Sequence, residues 1–467
     1  MQHLRHMRIG QFVHGRWIAI VVVASLLPAM SVVADPTLPT IPANTFTVPA
    51  ATGVATTDTN NIKNTIATAS AAGGGMVEVP AGTYLSNAFA LVSNINLHLD
   101  AGATIRNNAP TSAFITTSGT LHDIAITGSG ILDGRATTTT SGNNMISLKH
   151  ITNALVQGVT IQNASHEHLV VEQDTNLTID SININDNNTL AAHAGAYLSQ
   201  TDGIDFSGSH ILIKNSNISD GDDNIVAKPS GTFCSDITIT NNVIGSGHGI
   251  SVGGQTDAGL DGMTVSHITF NGTDNGVRMK SGAAAIQTSG GGGIVKNVSF
   301  SDITMTNVKT PIIINSWYNA GDHYGKQEVS PSALHNLTNP GDPTVNVNQT
   351  NNTDLQPFFD NVTYSNITAT GATQNVAIIY GLNSIAASPS DPLRNIDNIS
   401  FHNVNLSGSW GAEIFYTSNL NLAGLNVTAG SGNAINEFGN TFVLPGDYDG
   451  NGAVDGQDYE SWKASFG

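Results

Sequence analysis

Cysteine is almost absent from this chain. Cys234 stands alone in 467 residues, so no disulfide can close within it, and stability has to come from packing and backbone hydrogen bonds. Basic side chains are also scarce, 16 Lys and Arg against 35 Asp and Glu, for a formal net charge of −19. Such a balance offers no cationic face to displace counterions, which excludes nucleic acid as a partner. Only 11% of residues are charged and 6% aromatic, a poor composition for helical bundles. Past residue 34 no apolar run is long enough to cross a bilayer, so no membrane is expected against the mature chain. What is plentiful is Gly, with 49 residues, together with Asn, Thr and Ser. That mixture suits short strands joined by tight turns.

Residues 1–34 read as a secretory signal peptide. Arg5, Arg8 and Arg16 precede an apolar run from Trp17 to Val33, and Val32 and Ala34 supply the small-residue cleavage pattern. The mature chain is expected to start at Asp35 and to be extracellular. Losing three Arg and no carboxylate makes it more acidic still, so it has no long-range attraction for an acidic polymer. Any cation that meets such a polymer must act locally, within about 8–10 Å.

From Asp35 to residue 445 the pattern is that of one solenoid. After a Pro-rich lead, Thr57 to Ala72 reads as a short helix with Asp58 near its start and Ile62, Ile66 and Ala69 on one face. It would cap the first coil, whose open edge otherwise invites pairing with another chain. Alternating strands then recur, starting at Ile124, Leu155, Leu177, Ile211, Ile237, Val298, Val362 and Ile399. Variable loops between them account for the uneven spacing. The expected fold is all-β, a right-handed parallel β-helix with a short N-terminal capping helix. Asn residues recur at the turns, and stacked Asn ladders explain them better than glycosylation does. Two insertions interrupt the pattern, Gly290 to Gly293 and His323 to Leu355. One solenoid needs no partner for folding, and a monomer is expected.

Chemistry concentrates between Gln200 and Lys280. Thr201-Asp202-Gly203, Gly221-Asp222-Asp223-Asn224, Gly247-His248-Gly249 and Arg278-Met279-Lys280 follow one another at about one coil each. Coils stack about 4.8 Å apart, so these groups would meet on one face. Carboxylates held that close repel, which raises one pKa and lets a carboxyl keep its proton for acid catalysis. Asp222 and Asp223 are adjacent and cannot share a face in a regular strand, so a bend or bulge is expected there. Arg278 and Lys280 alternate onto the same face and can clamp a carboxylate.

Taken in order, the four segments resemble the signature blocks of the polygalacturonase-type pectin hydrolases, glycoside hydrolase family 28. The likeness runs from about Gly53 to Val427. It implies a pectin-lyase-like solenoid that cleaves α-1,4-galacturonosyl links in pectin with inversion and without a catalytic cofactor. By that resemblance Asp222 is the general acid, Asp202 and Asp223 activate water, and His248 orients the acid or the sugar. Gln200, Arg278 and Lys280 would bind substrate. Tyr318, in Asn315-Ser316-Trp317-Tyr318, is a candidate sugar platform. Gln200 stands where the family has Asn, and Asn224 where it often has Cys, a departure that fits a chain without disulfides. Branched pectins such as rhamnogalacturonan or xylogalacturonan are the alternative substrates, and a noncatalytic polysaccharide-binding solenoid is the alternative of another class.

Residues 446–467 change character. Asp447, Asp449, Asn451, Ala453, Asp455 and Asp458 occupy positions 1, 3, 5, 7, 9 and 12 of a calcium loop, with Gly452 at the sharp turn. The segment resembles one half of a dockerin-type module. A structural calcium and a cohesin-like or surface partner are what this implies.

Overall fold

The computed structural model describes residues 34–137, 143–186, 200–281, 293–316, 358–381 and 396–443. The chain divides between Ala34 and Asp35 into two compact units, and all described residues but Ala34 lie in the second. They form 28 strands in which every pairing is parallel, together with one helix, Ala55–Ala71 (α1). This is the expected β-helix. The helix starts two residues earlier than its sequence pattern predicts.

The register explains why this sequence stacks. Ile95, Ile124, Ala154, Leu177, Ile211 and Ile237 lie directly over one another, and the column continues through Met263, Val298, Val362 and Ile399. All are buried. A parallel column runs from Leu97 through Ile213 to Phe300, Tyr364 and Phe401. There three rings stack at centroid separations of 5.2 Å. Each column buries apolar area on every coil at roughly 25 cal/mol per Å², which replaces the missing disulfides.

One predicted position is corrected. Ala154, not Leu155, takes the core place in its coil, and Leu155 turns outward. A slip of one residue reverses the face of a strand. The better signal is the residue before the core position. Asp123, Asn153, Asn176, His210, Asp236, Asn297, Asn361 and Asn398 all have φ between 52° and 63°. This left-handed conformation is one that Asn, Asp and His tolerate better than other side chains. Asn153 donates to Asp123 at 3.1 Å and Asn176 to Asn153 at 2.9 Å, and Asn361 donates to Asn297 at 2.6 Å. The asparagines at these turns are ladders, as their recurrence predicts.

At the N-terminal end, α1 packs Ile62, Ile66 and Ala69 against the first coils. Asp58 is fully buried and accepts from Thr52 N and Oγ1 at 2.8 and 2.7 Å, and from Gly53 N and Leu85 N at 3.0 Å. Burial pushes its pKa up, but these donors outweigh it and hold the carboxyl below the usual value. A depressed folded-state pKa stabilises above the unfolded value and is lost as pH falls through the folded one. Asp58→Ala should therefore lower unfolding free energy at pH 7 by about 2–3 kcal/mol. Measured by denaturant titration, that difference should shrink below about pH 4.

Candidate active site

Four strands carry the site: Ile204–Lys214, Ile225–Ala227, Ile250–Val252 and Asn275–Lys280. Ile204, Ile225, Ile250 and Val277 stack inward in register. Each fixes the residue two places before it, so Asp202, Asp223 and His248 occupy equivalent positions on successive coils. On the outward face Asp205, Val226, Ser251 and Arg278 form the next column. Three residues after each inward Ile or Val come Ser207, Lys228, Gly253 and Lys280.

Asp222 and Asp223 do not lie in a bulged strand. They occupy the bend that leads into Ile225–Ala227, and there both reach one pocket of about 220 Å³. Asp202, Lys228, Lys280 and Gln200 line it as well, with His166 and Glu167 on the side of the preceding coil and Gly253 and Gly254 on the other. The structure thus brings together Gln200, Asp202, Asp222, Asp223 and Lys280, with His248 and Arg278 touching this set from outside the lining. Tyr318 and the six candidate calcium ligands, Asp447, Asp449, Asn451, Ala453, Asp455 and Asp458, lie outside the described residues.

The three pocket aspartates have different electrostatics. Burial would raise Asp223, but Arg278 and Lys280 outweigh it and hold this carboxyl far below the usual range. Arg278 Nη2 pairs with its Oδ1, and Lys280 Nζ lies 2.7 Å from its Oδ2. Ser251 Oγ donates to Oδ1 at 3.0 Å and accepts from Arg278 Nε at 3.2 Å. Asp202 is pushed up by burial and by Asp223 and Asp222, against the pull of Lys228. Asp222 is less buried. Desolvation raises it, but the bond from His248 Nδ1 to Oδ1 at 2.9 Å prevails and lowers it. In the free protein, then, the cations that sequence assigned to a substrate carboxylate both face Asp223, and the expected proton donor is paired with His248.

Asp222, Asp223 and His248 offer three ligand atoms within 4.8 Å of one another. Both oxygens of Asp223 already face cations, which cancels the charge a metal needs. The set suits proton transfer better.

Asn224 joins the two turns that hold Asp222 and His248. Its Nδ2 donates to Ser246 O at 2.7 Å and to Asp220 Oδ2 at 3.0 Å, and its Oδ1 accepts from Gly249 N at 2.8 Å. A Cβ at Gly247 would lie 2.3 Å from the Asn224 amide, and this glycine has φ 133°. Only glycine lets Asn224 sit there. Hydrogen bonds thus tie these turns together without a cysteine.

Several groups escaped the sequence reading. Lys228 Nζ bridges Asp202 Oδ2 at 3.1 Å and Asp205 Oδ2 at 2.5 Å. The signal was present: Asp223-Asn-Ile-Val-Ala-Lys228 and Asn275-Gly-Val-Arg-Met-Lys280 have one spacing, which puts the two lysines in one column. Deeper lies His168, fully buried, with Nδ1 3.1 Å from Asp202 O and Nε2 3.0 Å from Asp186 Oδ1. Burial would lower its pKa, but Asp186 outweighs that and raises it. Nothing in the local sequence marks a buried His held between Asp186 and the Asp202 carbonyl.

A family profile, Glycosyl hydrolases family 28, matches residues 73–388. A polygalacturonase of Medicago sativa is 30% identical over 290 residues, which cover 56% of this chain and 65% of that protein. An endo-polygalacturonase of Pectobacterium carotovorum subsp. carotovorum is 30% identical over 292 residues, covering 52% and 69%. The chain thus spans about two thirds of the length of these relatives. Among solved structures, a hyperthermoactive exopolygalacturonase from Thermotoga maritima superimposes with a TM-score of 0.64 at 19% identity, over 82% of this chain and 91% of that one. That likeness bears on the fold, a right-handed parallel β-helix.

The His168 pair gives a signed prediction. A His whose folded pKa is raised adds stability that is fully present below its unfolded value and disappears as pH climbs through the folded one. The melting-temperature gap between wild type and His168→Gln should be widest below about pH 6.5 and should narrow above it. A gap that widens with pH would mean that His168 is held neutral.

Proposed function

The chain belongs to glycosyl hydrolases family 28, and from that membership we propose that it hydrolyses the α-1,4 links between galacturonate units of pectic polysaccharide, with inversion at the anomeric carbon. The observation that carries this reading is the convergence of Asp202, Asp222 and Asp223 on one pocket, each in a different electrostatic setting.

Hydrolysis with inversion needs one carboxyl to protonate the leaving oxygen and another to activate water from the opposite face. Asp222 takes the first role. It is paired with His248 in the free protein, but an arriving uronate adds negative charge and displaces water, and both raise its affinity for a proton. Asp202 takes the second. Its proton affinity exceeds that of Asp223, whose two oxygens are neutralised by Arg278 and Lys280. Asp223 therefore acts as the weaker base, one that orients the water and anchors the cations. Lys280 lines the pocket and is the group best placed to meet a substrate carboxylate. Gln200, also on the wall, offers an amide to a sugar hydroxyl.

Export belongs to the same proposal, with residues 1–34 as the leader that carries the enzyme to an extracellular polymer. The Asp447 to Asp458 loop is the proposed calcium site.

The test is reducing-end release from de-esterified polygalacturonate. Asp222→Asn should lose about 10²–10⁴-fold in kcat while retaining substrate binding. Proton NMR of the first product should show the β-anomer before mutarotation. A first-formed α-anomer would overturn inversion, and an unsaturated product absorbing in the ultraviolet would replace hydrolysis with elimination. Binding to pectin without bond cleavage by the wild type would favour a noncatalytic solenoid.

A further inference from the structure

We propose that Lys228 is a positioning residue for the reaction: it keeps the Asp202 carboxylate charged and aimed into the pocket, with buried Asp205 as its anchor. The proposal rests on the hydrolytic reading above and adds a part to it.

The geometry is that of a bridge. Lys228 Nζ lies 3.1 Å from Asp202 Oδ2 and 2.5 Å from Asp205 Oδ2. The Lys228 side chain is one third exposed, and it lines the pocket with Asp202. Asp205 is 4% exposed, and its Oδ1 has no hydrogen-bond partner. Burial and Asp202 both push Asp205 well above the usual carboxylate range. Burial would lower Lys228, but Asp205 and Asp202 outweigh it and raise its pKa. The ammonium therefore stays charged throughout the range in which the enzyme would work.

Among the described residues, Lys228 is the one Lys or Arg ion-paired with Asp202. Arg278 and Lys280 both pair with Asp223. Lys228 and Lys280 belong to one column but are separated by Gly253, where a Cβ would meet Lys280 O at 1.7 Å. That coil carries no side chain between them, and two coils amount to about 9–10 Å. The pocket thus has two cationic centres, Lys228 between Asp202 and Asp205, and Arg278 with Lys280 on Asp223. The other charged groups around the bridge are Glu167, paired with His166 on the preceding coil, Asp220, Asp222 and Asp223, and the buried His168, which pairs with Asp186 and bonds to the Asp202 carbonyl. Without Lys228, Asp202 would lose its ion-paired cation and be left among Asp205, Asp220, Asp222 and Asp223, with buried His168 bonded to its backbone carbonyl.

A uronate clamp is a different role for the same lysine, and the charge distribution argues against it. Two carboxylates already share this ammonium, so the local sum is negative while both are ionised. A substrate anion would be drawn to Lys280 in preference.

The experiment compares Lys228→Met, Lys228→Arg and Asp205→Asn with wild type in rate against pH on de-esterified polygalacturonate. In Lys228→Met the acid limb of kcat should move up by about 1–3 pH units, with kcat falling more than KM rises. Lys228→Arg should keep the limb near that of wild type. Asp205→Asn should move it down, because Lys228 then serves Asp202 alone. A KM increase in Lys228→Met with an unmoved limb would overturn the proposal and make Lys228 a substrate contact.

Thermal unfolding supplies a reading independent of activity. Removing the cation raises the folded pKa of two buried carboxylates, a cost that appears as pH rises. Lys228→Met should match wild type near pH 4 and fall behind by at least ~2 °C at pH 8. A gap independent of pH would overturn the bridge. If Lys228→Met does not fold, its combination with Asp205→Asn, which removes one of the two stranded charges, carries the same comparison. Inactive wild type with a pH-dependent gap would sink the hydrolytic reading and leave the Lys228–Asp202 coupling standing.

Discussion

The described solenoid depends on parallel columns that hold their register from coil to coil, with shifts confined to a few places such as Val171/Asp174 and Trp410/Ala412. Each coil places an apolar residue over the one below, from Ile95 to Ile399 in one column and from Leu97 to Phe401 in another. A strand that slipped by one residue would turn its core set into solvent. A left-handed residue before the core position of the first column, Asn, Asp or His in most coils and Gly262 before Met263, places the turn and opposes that slip. The same register that buries the core aligns Asp202, Asp223 and His248 along the axis. Fold and site are therefore one constraint viewed from two sides of the sheet.

Around the pocket, pairing decides which carboxylate does what. Asp223 lies deepest of the three pocket carboxylates and has two cations, so it is the most firmly ionised. Asp202 shares one cation with Asp205 and is driven the other way by burial. Asp222 has a single imidazole. Three identical side chains thus acquire three proton affinities from neighbours supplied by adjacent coils. His168 adds a hydrogen bond to the backbone of Asp202 from below, and Asn224 binds the Asp222 turn to the His248 turn. Neither Asn224 nor His168 is among the residues lining the pocket, and both fix the position of groups that are.

The sequence was readable wherever a pattern repeats. Alternating apolar residues and turn asparagines announced the solenoid, and four spaced motifs announced the site. The repeat start at Leu155 is off by one, because Ala154 is the residue in register with Ile124. The Asn153 before it would have given the correct phase. Lys228 was missed because single motifs were read along the chain, whereas the lysine matters through its column. The partners of Arg278 and Lys280 were not legible at all. A cation on a strand face does not reveal whether a carboxylate on the same protein or on a ligand will meet it. Buried groups such as His168, Asp186 and Asp220 were equally silent, since their neighbours come from three different coils.

Cys234 begins the strand Cys234–Thr240 and is wholly buried, with burial pushing its thiol up to about 11. In oxidising surroundings a lone thiol is a hazard, because it can link one molecule to another. Here the hazard is gated by the fold: the sulfur is out of reach and protonated as long as the coils stay stacked. Covalent dimers can therefore arise only from molecules that have opened, so their amount under air records how often the solenoid has come apart.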